Sequence, residues 1–83
     1  MRATIKQKIQ EHLLEVLPEL QIKTLQDSDR LADLGANSVD RADIVMMTME
    51  SFDLDIPRIE LFGAQNIGEL VTLFEQKLQK KGP

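Results

Sequence analysis

The chain has 83 residues, a net charge of −4 and no cysteine. That length suits one small domain, and the missing thiols exclude disulfides, a thiolate nucleophile and a cysteine-based zinc site. The acidic balance disfavours nucleic-acid phosphates and anionic lipid headgroups and points to basic protein surfaces as partners, and no apolar run approaches the roughly 20 residues of a membrane span.

In the first element Ile5, Ile9, Leu13 and Val16 recur close to i, i+4, i+8 and i+11, the stripe of an amphipathic helix. Thr4, with Gln7 three residues on, fits a capping box at its start. Pro18 ends it, because proline disfavours helical geometry in the residue before it. The N-terminus lacks the charged-then-apolar layout of a signal peptide, so the cytoplasm is the expected location.

About twenty residues then run from Pro18 to Asn37 without a helical stripe. Loops of that length in compact domains are often functional. Leu20, Ile22, Leu25, Leu31 and Leu34 recur along this one and are expected to pin it to the core. Asp29 is placed to start a short turn carrying Leu31 and Leu34.

The second helical segment is expected from Ser38 to Phe52, after Gly35 has turned the chain. It carries two apolar stripes. Ile44, Val45, Thr48 and Phe52 form one; Val39, Ala42, Met46 and Met49 form the other, flanked by Asp40, Asp43, Glu50 and Asp53. An amphipathic surface helix needs only one stripe. The methionine stripe is therefore either further core or an exposed seam. Methionine is unbranched and polarizable, which suits a docking surface, and the acidic rim would steer basic partners.

Pro57 opens a short helical turn, "RIELF", with Ile59 and Phe62 expected to face inward. The last helix is expected from Asn66 to about Gln79. Asn66 caps it with Glu69 in box position, and Ile67, Leu70, Val71, Phe74 and Leu78 form its stripe. Lys77, Lys80 and Lys81 lie where the helix dipole favours cations. Residues 80–83 are expected as a disordered tail. No alternating strand pattern occurs, so the fold class is all-α: a small bundle of three main helices and one short one, a single domain over 1–83.

Ser38 raises the question of chemistry. Asn37 or Ser38 can cap the second helix. As a hydrolytic nucleophile Ser38 lacks a base, since the lone His12 lies in the first helix and no G-x-S-x-G elbow is present. A single histidine with no cysteine offers no multi-ligand metal site either. Modification by another enzyme remains open: an anionic group on Ser38 would meet the free N–H groups and positive dipole end of the helix.

"DLGANSVDRADIVMMTMESFDLDIP" resembles the phosphopantetheine attachment region of acyl carrier proteins. Leu34, Gly35, Asn37, Ser38 and Val39 match the family's loop, and Phe52, Ile56 and Pro57 match its F-x-x-x-I-P. The resemblance covers the whole chain and implies a right-handed bundle of the acyl-carrier type. It implies that a phosphopantetheinyl transferase attaches 4′-phosphopantetheine covalently to Ser38, that the arm shuttles an acyl thioester, and that the chain, a monomer, is not itself an enzyme. It further implies a partner face of Asn37, Val39, Arg41, Ala42, Asp43, Met46, Met49, Glu50, Arg58 and Phe62.

Asn37 stands where aspartate is usual, and Arg41, Met49 and Arg58 stand in regions commonly acidic in fatty-acid carriers. "GANSVDRADIV" and "NIGELV" look similar to discrete donor carriers of polyketide β-branching. Those present an acetyl group to a 3-hydroxy-3-methylglutaryl-synthase-like enzyme, so that enzyme, a decarboxylase or ketosynthase and an acyltransferase are the implied partners. The alternatives are a fatty-acid or other discrete carrier, and a non-catalytic helical adaptor that binds through Met46 and Met49.

Overall fold

The computed structural model describes residues 1–22, 24–61 and 63–81. Its elements are α1 (Arg2–Val16), α2 (Ser38–Ser51), α3 (Arg58–Leu61) and α4 (Ile67–Lys81), with no strand among the described residues. The all-α expectation of three main helices and one short one is met.

The core forms where the helical stripes meet. Ile5, Ile9 and Leu13 of α1, Ile44 of α2, and Val71 and Phe74 of α4 are fully buried. α1 packs against both α2 and α4. The long connection contributes Leu25, Leu31 and Ala36 to this core, while Leu20, Ile22 and Leu34 pack against it half-buried. Burying those leucines removes apolar surface at roughly 25 cal/mol per Å², which is why a loop this long stays closed over the bundle. Gln10 Oε1 accepts from the Leu25 N–H at 3.1 Å and fixes it further.

α1 begins earlier than expected. Met1 is its N-cap, and Thr4 lies inside the helix instead of capping it. The reason is Arg2, whose guanidinium donates to Thr72 Oγ1 at 2.8 Å and pairs with Glu75 at 3.4 Å, holding the first turn against α4. α1 ends at Val16, and Leu17, before Pro18, leaves helical geometry at φ −122° and ψ 73°, as the proline requires.

The start of α4 is closed by the connection. The Ile67 N–H donates to the Asp29 carbonyl at 2.8 Å and the Gly68 N–H to the Asp27 carbonyl at 2.9 Å. Asn66 Oδ1 accepts from the Glu69 N–H at 2.8 Å, the expected cap. Three donors that helix geometry leaves free at an N-terminus are thus satisfied. A Cβ on Gly68 would stand 3.0 Å from Asp27 Cβ and 3.3 Å from its carbonyl oxygen, so the loop approaches α4 this closely only because residue 68 has no side chain.

Two expectations need correction. Ile59 is 81% exposed: α3 has a single turn, and it turns Leu61 inward instead. Phe62, paired with Ile59 in that expectation, lies outside the described residues. α4 runs through Lys81, so Lys80 and Lys81 belong to the helix and not to a tail; Gly82 and Pro83 lie outside the described residues.

Candidate functional site: the first turn of α2

The turn of residues 31–35 leads into α2. Gly35 adopts φ +104°, a region that side chains disfavour and glycine enters freely. The Ala36 N–H returns to the Leu31 carbonyl at 3.1 Å, and Ala36 is buried. The chain thus emerges from the core at Asn37.

Asn37 is the cap. Its Oδ1 accepts from the Asp40 N–H at 2.8 Å, and the Asp40 carboxylate accepts from the Asn37 N–H at 3.2 Å, a reciprocal capping box. This resolves the sequence ambiguity between Asn37 and Ser38. Ser38 is the first helical residue, and its hydroxyl has no capping duty. It is exposed, and its Oγ accepts from Arg41 Nη2 at 3.3 Å. Asp40, expected on an acidic rim, serves the cap.

Beside Ser38 an open groove of about 710 Å³ runs between α2 and the segment of α3 and early α4. Arg41, Ala42, Met46 and Met49 line its α2 wall; Arg58 and Leu61 line the other. Sequence reading named neither Leu61 nor Arg30, which also borders the groove. No periodic signal marks either, since one lies in a loop and the other in a one-turn helix. A second depression of about 580 Å³, bordered by Arg2, Asp27 and Asn66, contains neither Ser38 nor any expected partner residue among its described walls.

The second stripe of α2 divides. Val39 is 67% exposed and Met46 49% exposed, and Ala42 is exposed as well. Asp43 and Glu50 are exposed beside them, so an acidic rim survives. Met49 departs from the expected seam: it is half-buried and packs on the core. The cause is the way α2 ends. Asp53 takes φ +53°, the Leu54 N–H donates to the Met49 carbonyl at 2.8 Å, and the Asp53 N–H to the Glu50 carbonyl at 3.2 Å. This is a Schellman closure, and it folds residues 54–56 back over Met49.

His12 is not placed to serve Ser38. Its Nε2 lies 2.8 Å from Ser51 Oγ and its Nδ1 3.3 Å from Glu15 Oε2. Ser51 and Ser38 occupy opposite ends of α2, roughly 20 Å apart at 1.5 Å per residue. Among the described residues no group of acidic and histidine side chains is arranged to hold a metal ion. No described helix is long and apolar enough to cross a membrane.

Comparison with known proteins adds four findings. Residues 7–74 match the family model of the phosphopantetheine attachment site. The chain is 50% identical over 78 residues to the polyketide biosynthesis acyl-carrier-protein AcpK of Bacillus subtilis (strain 168), covering 89% of this chain and 95% of that one. It is 29% identical over 73 residues to an acyl carrier protein of Akkermansia muciniphila, covering 88% and 91%. Among solved structures it is similar to a chain of the curacin biosynthetic pathway HMG synthase in complex with acetyl donor-ACP. The TM-score is 0.80 at 47% identity, with 89% of this chain and 95% of that chain covered.

Proposed function

The chain belongs to the phosphopantetheine-attachment family of acyl carrier proteins, and from that premise we propose that Ser38 is its attachment residue and that it serves as a discrete acetyl-donor carrier in polyketide β-branching. The observation that carries the attachment reading is the exposed Ser38 hydroxyl, freed from capping by Asn37 and set at the mouth of the groove. The residues present suit the group. The hydroxyl is reachable, Arg41 offers a cation at its oxygen, and the free N–H groups of the first turn favour an anion there.

In this reading Ser38 Oγ attacks the phosphorus of coenzyme A that bears the pantetheine. A new O–P bond forms, the pyrophosphate bond breaks, and 3′,5′-ADP leaves. The hydroxyl proton passes to a base of the transferase. The terminal thiol of the arm supplies the thioester chemistry that a cysteine-free chain lacks. The chain catalyses no step itself: it presents the arm and docks, as a monomer, on successive enzymes.

Docking falls to the exposed seam of Val39, Ala42 and Met46 with Asp43 and Glu50 at its rim. Asn37, Arg41 and Arg58 border it, and Met49 shapes the groove floor from the core side. Partner choice then rests on apolar fit with acidic steering. The donor subtype is supported by the likeness to a chain of the HMG synthase complex with acetyl donor-ACP and to a polyketide carrier. The corresponding partners are an HMG-synthase-like enzyme, a decarboxylase or ketosynthase, and an acyltransferase.

The test is to incubate apo protein with coenzyme A and a broad-specificity phosphopantetheinyl transferase and read the intact mass. A gain of one phosphopantetheine, abolished by Ser38→Ala, is expected. No gain, or a gain that survives Ser38→Ala, overturns the attachment reading and leaves the seam as an adaptor surface. For the subtype, acetyl-loaded protein is offered to a β-branching synthase and to a fatty-acid ketosynthase. Equal or better turnover with the second rejects the donor assignment.

A further inference from the structure

Among the described residues most side-chain cations fall into two sets, and Lys80, exposed near the end of α4, belongs to neither. Arg2, Lys6, Lys8 and Lys77 each pair with a carboxylate: Glu75, Asp27, Glu11 and Glu60 respectively. Arg30, Arg41 and Arg58 have no carboxylate within ion-pair distance, and all three border the groove that opens at Ser38. In a chain of net charge −4, three guanidinium groups left without counter-ions around one groove mark a place for an external anion. Arg30 Nε is engaged with the Gln65 carbonyl at 3.2 Å. Arg41 is the one that touches Ser38.

Arg41 lies three residues after Ser38, on the same helix face. Its Nη2 reaches Ser38 Oγ at 3.3 Å, beyond the usual range for an N–H donor, and a neutral hydroxyl uses little of what a guanidinium offers. Arg41 is half-buried along the groove wall, so its direction is restrained. The nearest acidic side chain in sequence, Asp40, is turned back to the Asn37 N–H at 3.2 Å, and position 37 itself carries an uncharged amide. Nothing acidic on this turn competes for the Arg41 fork.

We propose that Arg41 binds the phosphodiester carried on Ser38, replacing its long contact to the seryl oxygen with charge-assisted hydrogen bonds to the non-bridging phosphate oxygens, and thereby sets the direction in which the arm leaves α2. This rests on Ser38 being the attachment residue. The geometry requires no new rotamer. The phosphorus is bonded to the oxygen Arg41 already contacts, and its free oxygens lie two bonds from Oγ, within reach of the same fork. A guanidinium matches two phosphate oxygens at once, which an ammonium does not. Arginine, not lysine, is thus the side chain this role needs.

The test compares apo and holo forms of wild type, Arg41→Lys and Arg41→Gln by melting temperature and by ³¹P NMR of the phosphodiester. Loading is expected to raise the wild-type melting temperature by several degrees, with part of the rise kept in Arg41→Lys and none in Arg41→Gln, while the three apo forms melt together. The ³¹P resonance is expected to move in Arg41→Gln toward that of the same diester on an unstructured peptide. In wild-type holo protein alone it should drift the same way as salt rises to roughly 1 M, where screening acts over about 3 Å. An Arg41→Gln protein with the wild-type melting increment and resonance, or a wild-type resonance indifferent to salt, overturns the proposal. Absence of loading in wild type instead overturns the attachment reading.

Discussion

The Met49 thioether sulfur accepts a hydrogen bond from the Ile56 backbone N–H at 3.3 Å. That contact joins α2 to the segment that returns across it, and it takes Met49 out of the exposed seam in which its spacing had placed it. Met46, one turn earlier, keeps half its surface in water. Two methionines of one stripe therefore have different duties, and substitution should separate them.

Met49→Glu is expected to cost about 2 kcal/mol, because it sets a charge against the core and removes the acceptor for Ile56. A fall in melting temperature on the order of 10 °C follows for a domain of this size. Met46→Glu should change stability by no more than about 0.5 kcal/mol and instead weaken complex formation with a partner enzyme. Thermal melts beside a binding isotherm check both; equal melting losses would place the whole stripe in the core.

Asn37→Ala and Ser38→Ala should differ in the opposite sense. The first removes the capping box and is expected to cost about 1 kcal/mol, with loading at residue 38 retained. The second removes the hydroxyl that loading needs yet leaves the cap intact, so its melting temperature should match wild type. Intact mass after transferase treatment, read beside a thermal melt, distinguishes them.

The glycines at 35 and 68 should fail for different reasons when replaced by alanine. Gly35 has open space around it but φ at +104°, so Gly35→Ala carries a purely conformational cost of about 1 kcal/mol. At position 68 alanine is the better helix former, yet its Cβ would press on Asp27, whose carbonyl is bonded to the same residue's N–H. Gly68→Ala should therefore lower the melting temperature and speed hydrogen exchange at Ile67 and residue 68, whose amides bond the loop. Slower exchange there would show that the loop yields without cost.

Asp27 gives a pH-dependent signal. The hydrogen bond from the Lys6 ammonium, aided by the charges of Lys6 and Arg2, holds its carboxyl below the ordinary aspartate value. A carboxylate depressed in the folded state stabilises the fold above the unfolded value, about 3.9, and that contribution disappears as pH falls through the lower folded value. The side chain is exposed, so the effect on stability is small. Carboxyl NMR should show Asp27 titrating below the ordinary value in wild type and returning toward it in Lys6→Met; an unmoved titration would remove Lys6 as the cause.

Helix content and the order of elements were legible because apolar spacing, Pro18 and the Asn66 cap act within a few residues of chain. The same holds for Ser38 as the residue to watch, since its loop and the following F-x-x-x-I-P are local patterns. Thr4 misled for a tertiary reason: the first turn of α1 is held by Arg2 reaching α4, an interaction across some seventy positions that no cap pattern reports. Ile59 misled because a single helical turn has too few residues for its period to define a face.

By itself the sequence determined four helices, a tethered connection and one serine opening the second helix, for these follow from side-chain period and local hydrogen bonding. Only the tertiary structure decided which methionine meets water and where the unpaired arginines gather. Periodicity sets the angle at which a side chain leaves its helix. Whether that direction ends in solvent depends on what the rest of the chain lays over it, as the return through Ile56 does for Met49.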